Sequence, residues 1–225
     1  MFFVGGQISK ILITHYHEDH THGLQFIRNK KNVEIRKGLC GLKHDEILQN
    51  KWNFKYEDLN EGEIIGVDDD SDLKIKPIKC PGHTDDHFGF LFFPEKIFFC
   101  GDCILGNGST SINNLTSFMS SLEKIKNLND FEHLFPAHGD LIFTKEKSMK
   151  KINEYIEHRM TREEQIMARL KKSKCSIDNL VESIYPNILD SYLIERAKEN
   201  VNCHLEKLIN ERRVNKTEGE TFHLL

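Results

Sequence analysis

Residues 11–23 read ILITHYHEDHTHG, a short apolar run that discharges into four histidines, one aspartate and one glutamate. His15 and His17 stand two apart at the end of a strand-like run, so an extended backbone turns both rings to one side. Two imidazoles on one side can chelate a single borderline-soft ion. Asp19 and His20 follow where the chain turns. Thr21 stands where a helical HExxH motif would need its second histidine, so the helical metalloprotease pattern is excluded. Four ligand-type groups this close crowd one tetrahedral ion and suit two ions about 3.5–4 Å apart.

Two ions need further ligands, and three other apolar runs end in turns that carry one each. CPGHTDDH offers His83, FFCGDC offers Asp102, and LFPAHGD offers His138. Ligands on turns at the ends of rigid strands are a common way to build an active site. His87 lies close enough to His83 to orient a ligand or meet substrate. His22, His44, His133, His158, His204 and His223 read as structural or exposed. Cys100 and Cys103 form one CxxC without a second pair, which reads as two small buried residues at a strand end.

The elements that must position these groups are strands at Lys10–Thr14, Glu63–Gly66, Leu73–Lys79, Phe88–Phe93, Ile97–Gly101 and His133–Pro136. PEK between Phe93 and Ile97 is a tight turn. Helices are expected at Gly23–Lys30, near Lys43–Gln49 and at Leu115–Asn127, the last with apolar residues at helical spacing. The mixture predicts an α/β catalytic domain over 1–143. From 144 to 225 the texture changes to three amphipathic helices, Ser176 capping the second, and then a last short strand. That tail reads as a winged-helix-like module. It is slightly basic while the rest is acidic, and Lys171, Lys172, Lys174, Arg212 and Arg213 are its candidate phosphate contacts.

The chain has 225 residues and a net charge of −4, so no overall basic signature announces nucleic acid. No run approaches the roughly 18 apolar residues of a membrane span, so no membrane partner is expected. Six scattered cysteines fit reduced thiols inside a cell, in the cytoplasm or the mitochondrial matrix.

HxHxDH followed by a lone His, Asp and His at strand ends resembles the metallo-β-lactamase superfamily. PGHTDDH, GDCILGNGST and the helical tail are similar to the β-lactamase-like endoribonucleases of animal mitochondria. The resemblance implies an αββα sandwich with two Zn²⁺ ions at one edge. It assigns His15, His17 and His83 to the first ion, Asp19, His20 and His138 to the second, and Asp102 to both. It also implies that Asp19 aims a water, activated by the two ions, at the phosphorus of single-stranded RNA. A thioester hydrolase of glyoxalase II type shares these motifs. A metal-poor relative serving as a binding module is the non-enzymatic alternative. In the family several strands, and an Asp in a DTG-like turn, precede HxHxDH, whereas 14 residues precede His15 here. The expectation is an N-terminally shortened sandwich, with an apolar sheet face and an edge left open.

Overall fold

The computed structural model describes residues 8–27, 33–41, 43–67, 72–217 and 219–225. Two sheets stand face to face. The first has the order β1 (Lys10–Ile13), β2 (Glu34–Lys37), β3 (Glu57–Asp58), all parallel. The second runs β4 (Ile65–Gly66), β5 (Lys74–Lys79), β6 (Phe88–Phe93), β7 (Ile97–Gly101), β8 (His133–Pro136). It is antiparallel except for the β7–β8 pair, which is parallel and joined through α3 (Leu115–Lys126).

Alternation along the strands sorts the layers. In β6, Phe88 and Phe90 point between the sheets to meet Leu59 and Ile65. Leu91 points the other way, into the largest core, with Phe98, Phe118, Leu122 and Phe131. On the far side of the first sheet, Ile13 and Ile35 pack against Leu48 of α2 (Lys43–Trp52). The layers are therefore helix, sheet, sheet, helix. The face of the second sheet that carries Phe92, Phe99, Phe135 and Phe143 is only partly covered: Phe99 is 40% and Phe143 53% exposed. Among the described residues β1 is an edge strand.

Most expected elements are present, with three corrections. The helix expected at Gly23–Lys30 is instead a short helix α1 (Glu18–Thr21) running into a 3-10 turn over His22–Phe26. The chain coils earlier because Asp19 and His20 must turn back towards His15, and the His20 N–H donates to the His17 carbonyl at 3.1 Å. Gly23 then disfavours continuation of a regular α-helix. Residues 28–30 of that expectation, and the first seven residues, lie outside the described ones. Second, β2 and β3 carry too many charged residues to read as strands; parallel pairing to β1 makes them so. Third, the tail ends in two short strands where one was expected: β9 (Val214–Lys216) pairs antiparallel with β10 (Phe222–Leu224).

The C-terminal helices are α4 (Lys145–Leu170), α5 (Ile177–Ile184) and α6 (Ser191–Asn210). Ser176 caps α5, its hydroxyl accepting from the Asn179 N–H at 3.3 Å. With the β9–β10 hairpin they form the winged-helix arrangement around Ile166, Leu180, Val201 and Leu205. Helix α4 belongs to two cores. Ile152, Tyr155 and Ile156 pack on the second sheet's helical layer, and Ile166 and Leu170 on α5 and α6.

His204, inside this module, is 1% exposed and neither ring nitrogen has a hydrogen-bond partner. Burial, then the charges of Arg159 and Arg162, push its pKa from 6.5 down to about 3. The unfolded chain takes up this proton near 6.5 and the folded chain does not until about 3, so folding weakens as pH falls through that window. At roughly 1.4 kcal/mol per unit the loss reaches about 2 kcal/mol by about pH 5. Denaturant titrations at about pH 7 and 5 should show a steeper loss for the wild type than for His204→Gln. Equal losses would count against this assignment.

Candidate metal centre

Five of the seven predicted ligands stand just beyond the C-terminal ends of strands, and Asp19 and His20 lie on α1, all at one edge of the sandwich. His15 and His17 leave β1, His83 leaves β5, Asp102 leaves β7 and His138 leaves β8. The Phe88 N–H donates to the Thr14 carbonyl at 2.8 Å and joins the two sheets at this edge. Two glycines allow the approach. Gly101 has φ +52, and a Cβ there would sit 2.7 Å from His87 Nε2. A Cβ on Gly82 would sit 2.4 Å from the Phe118 Cα, so the loop bearing His83 can lie on α3 only with glycine there.

The side chains gather into two groups that share Asp102. One is His15, His17, His83 and Asp102, the other Asp19, His20, Asp102 and His138, with ligand atoms in each group within 4.8 Å of one another. Among the described residues these are the groups able to hold a metal ion. In the first, His15 Nε2 lies 3.0 Å from His17 Nδ1 and 3.3 Å from His83 Nε2, and the latter lies 3.0 Å from His17 Nδ1. A tetrahedral ion with bonds of about 2.0–2.1 Å has ligand–ligand edges of about 3.3 Å. In the second, His138 Nε2 is 3.3 Å from His20 Nε2 and 3.0 Å from Asp19 Oδ2. Asp102 Oδ1 is 3.4 Å from His20 Nε2 and Oδ2 is 3.8 Å from His83 Nε2, so one carboxylate faces both groups.

The rings are held in the ligand form. His83 Nδ1 is 2.8 Å from the Ser111 carbonyl, which can only accept, so Nδ1–H donates and the Nε2 lone pair faces inwards. His15 Nδ1 is 3.0 Å from the Thr14 hydroxyl, which leaves Nε2 to the centre. Burial first, and then the neighbouring imidazoles, push His15 well below its ordinary pKa, and burial and then His83 lower that of His17. The lowered pKa values favour neutral rings, and three imidazole nitrogens within 3.3 Å of one another make a set that a cation would hold together. Burial would raise Asp102, but His20, His138 and His83 outweigh it and hold its carboxyl below the usual range.

His87 is no substrate contact. It is fully buried, and its Nε2 accepts from the Asp102 N–H at 3.1 Å, so it fixes the backbone of the shared ligand. Burial and then His83 lower its pKa to about 3, which keeps that nitrogen an acceptor. Cys100 and Cys103 are buried, unpaired and outside both groups. Lys171, Lys172 and Lys174 are exposed beyond the end of α4, and Lys172 lines a separate cavity beside Arg169 and Ser183.

The first group is largely buried, while Asp19 and His138 are exposed, so the centre opens on the side of the second group. Beside His17 a cleft of about 560 Å³ runs between the loop at Ser109–Asn113 and the C-terminal helices, lined by His158, Arg159, Arg162 and Arg196. Arg159 is 2% exposed and Nη2 donates to the Thr110 carbonyl at 3.0 Å, while the Thr110 hydroxyl is 3.0 Å from His83 Nδ1. The winged-helix module thus reaches a ligand of the first group through one residue. The sequence reading missed these basic residues. Their one local signal was their place on amphipathic helices, His158, Arg159 and Arg162 on α4 and Arg196 on α6.

Residues 5–138 match the model of the metallo-beta-lactamase superfamily, and residues 176–221 that of the beta-lactamase associated winged helix domain. The chain is 38% identical over 223 residues to the beta-lactamase-like protein 2 homolog of Caenorhabditis elegans, covering 96% of this chain and 70% of that protein. It is 28% identical over 189 residues to the atrochrysone carboxyl ACP thioesterase of Claviceps purpurea, covering 81% and 56%. The crystal structure of a beta-lactamase domain protein from Burkholderia ambifaria has the same fold, with a TM-score of 0.82 at 15% identity over 98% of this chain and 75% of that one. The matched span takes in every ligand-type residue of both groups, and by sequence and by fold this chain belongs to the metallo-β-lactamase superfamily.

Proposed function

We propose that the protein is a two-zinc hydrolase that cleaves single-stranded RNA. The observation that carries the reading is the cleft beside His17, which brings three arginines and His158 to the metal edge. The donor set of imidazoles and carboxylates, at separations near the edge of a zinc tetrahedron, fits zinc. Two divalent ions there would supply Lewis acidity and bring the pKa of a water down to about 7. The chain's own residues would do the rest. Asp19, on the open side, would accept a hydrogen bond from the attacking water and aim it. Arg162, which among the described residues pairs with no carboxylate, would hold the phosphodiester by charge-assisted hydrogen bonds. Ser111 and His87 would keep His83 and Asp102 in register as charge shifts.

A second reading is thioester hydrolysis, favoured by the similarity to the Claviceps thioesterase. Incubation with labelled single-stranded RNA, and separately with S-lactoylglutathione, each with zinc and with chelator, separates the two. RNA should be cut, the cutting should stop with chelator, and Arg162→Gln should lower kcat/KM by about 10–100-fold, the worth of one charged hydrogen bond. Turnover of the thioester alone would overturn the RNA reading.

A further inference from the structure

We propose that α4 is a cationic rail along which single-stranded RNA lies on both sides of the metal edge; this deepens the reading above and rests on it for the polymer. Lys147, Lys151, His158, Arg162 and Arg169 recur along α4 at steps of four or seven residues, with Lys172 three residues further on. Such steps place them on one stripe of a helix. From Lys147 to Arg169 the stripe is about 33 Å long at about 1.5 Å per residue.

Three cavities follow it in order. Lys147, Lys150 and Lys151 line the first, of about 280 Å³, with Phe143. His158, Arg159 and Arg162 line the cleft beside His17. Arg169 and Lys172 line the third, of about 220 Å³. The rail passes both metal groups. At the first cavity Lys151 Nζ donates to the Gly106 carbonyl at 3.1 Å, and the Gly106 N–H donates to the carbonyl of His138 at 2.8 Å. At the middle cleft the neighbour is His17.

The charges on this stripe are not spent within the protein. Among the described residues none of Lys147, Lys150, Lys151, Arg162, Arg169 and Lys172 pairs with a carboxylate. By contrast Arg196, Lys198, Lys207, Arg213 and Lys216 are all in ion pairs. A row of unpaired cations keeps its affinity for a polyanion. Two rings favour a nucleic acid over an acidic protein. Phe143, 53% exposed, faces the lysines of the first cavity, and the Tyr185 ring lies 4.1 Å under the Arg162 guanidinium in the cleft. Alternating cations and aromatic faces are how single strands are held without sequence preference.

The test is binding of labelled RNA to the full chain with chelator present, so that affinity is read without cleavage. Log Kd should rise with log salt by about 0.7 per phosphate neutralised, and affinity should grow from an oligonucleotide of about 4 to one of about 16 residues. Lys147→Gln/Lys150→Gln/Arg169→Gln should lose about 2 units of that slope and most of the gain with length. Lys198→Gln, a paired surface lysine, should change neither, and far-UV circular dichroism should match the wild type for both. An unaltered slope and length dependence in the triple variant would overturn the rail. So would tighter binding of an acidic acyl carrier protein than of RNA, lost in that variant. RNA held along the rail yet never cut by the zinc-loaded protein would leave the rail standing and sink the RNA-cleavage reading.

Discussion

Lys37→Met is expected to destabilise the fold by about 3–5 kcal/mol, the cost of leaving buried charge without its partner. Lys37 is fully buried, with Nζ 2.6 Å from Asp45 Oδ1 and 2.7 Å from Asp86 Oδ2, and it donates to the Gly38 carbonyl at 2.9 Å. Both carboxylates are held from the other side as well. Asp86 Oδ1 accepts from the Thr84 hydroxyl at 2.6 Å, and Asp45 Oδ2 from the Cys40 N–H at 3.0 Å. Burial opposes the ammonium charge, but Asp86 and Asp45 outweigh it and raise the lysine's pKa. The cluster ties β2 and α2 to the loop between His83 and His87, so its loss should also weaken metal binding by about 10–100-fold. Denaturant unfolding and a zinc titration read the two effects. Lys37→Met/Asp45→Leu/Asp86→Leu should regain stability without regaining metal affinity, because it removes the unpaired charge but not the loosened loop. A single variant within about 0.5 kcal/mol of the wild type would refute the account.

Asp102→Ala is the other large effect, and it falls on activity. Asp102 is the one side chain common to both groups, and its two oxygens face different histidines. Without it each group keeps three ligand-type residues, and two ions held there would lack a shared anion. Several kcal/mol of charge stabilisation is at stake, so hydrolysis should fall by more than about 10³-fold, and chelation of the wild type should match it. Metal analysis should find fewer than two ions per chain. Two retained ions with full turnover would refute the shared role.

Much of the centre was legible beforehand because the information is local. HxHxDH places His15 and His17 by backbone period alone, and PGH, GD and PAHG each follow an apolar strand that must run into the sandwich. The strands Phe88–Phe93, Ile97–Gly101 and His133–Pro136 were equally plain, since strands between two layers are apolar on both faces. β2 was not legible: EIRK has one apolar residue in four, and only pairing to β1 and the buried lysine partners make it a strand.

His87 and the α4 cations were visible as residues but not as roles. A histidine four positions from a ligand can point at substrate or into the core, and the close passage of Gly101 decided for the core. Arg159 and Arg162 sit in sequence like any helical arginines. Packing of α4 on both cores carries them to His17, more than a hundred residues away along the chain.

The sequence by itself determined the kind of chemistry: which residues can ligate, that they number enough for two ions, and which strands bear them. Those are properties of residue type and of a repeat a few residues long. Tertiary structure alone decided that Asp102 faces both groups, that a lysine is sealed beneath the His83 loop, and that arginines from the C-terminal helices border the metal edge. Each of these depends on the meeting of segments distant in the chain, and no local period encodes it.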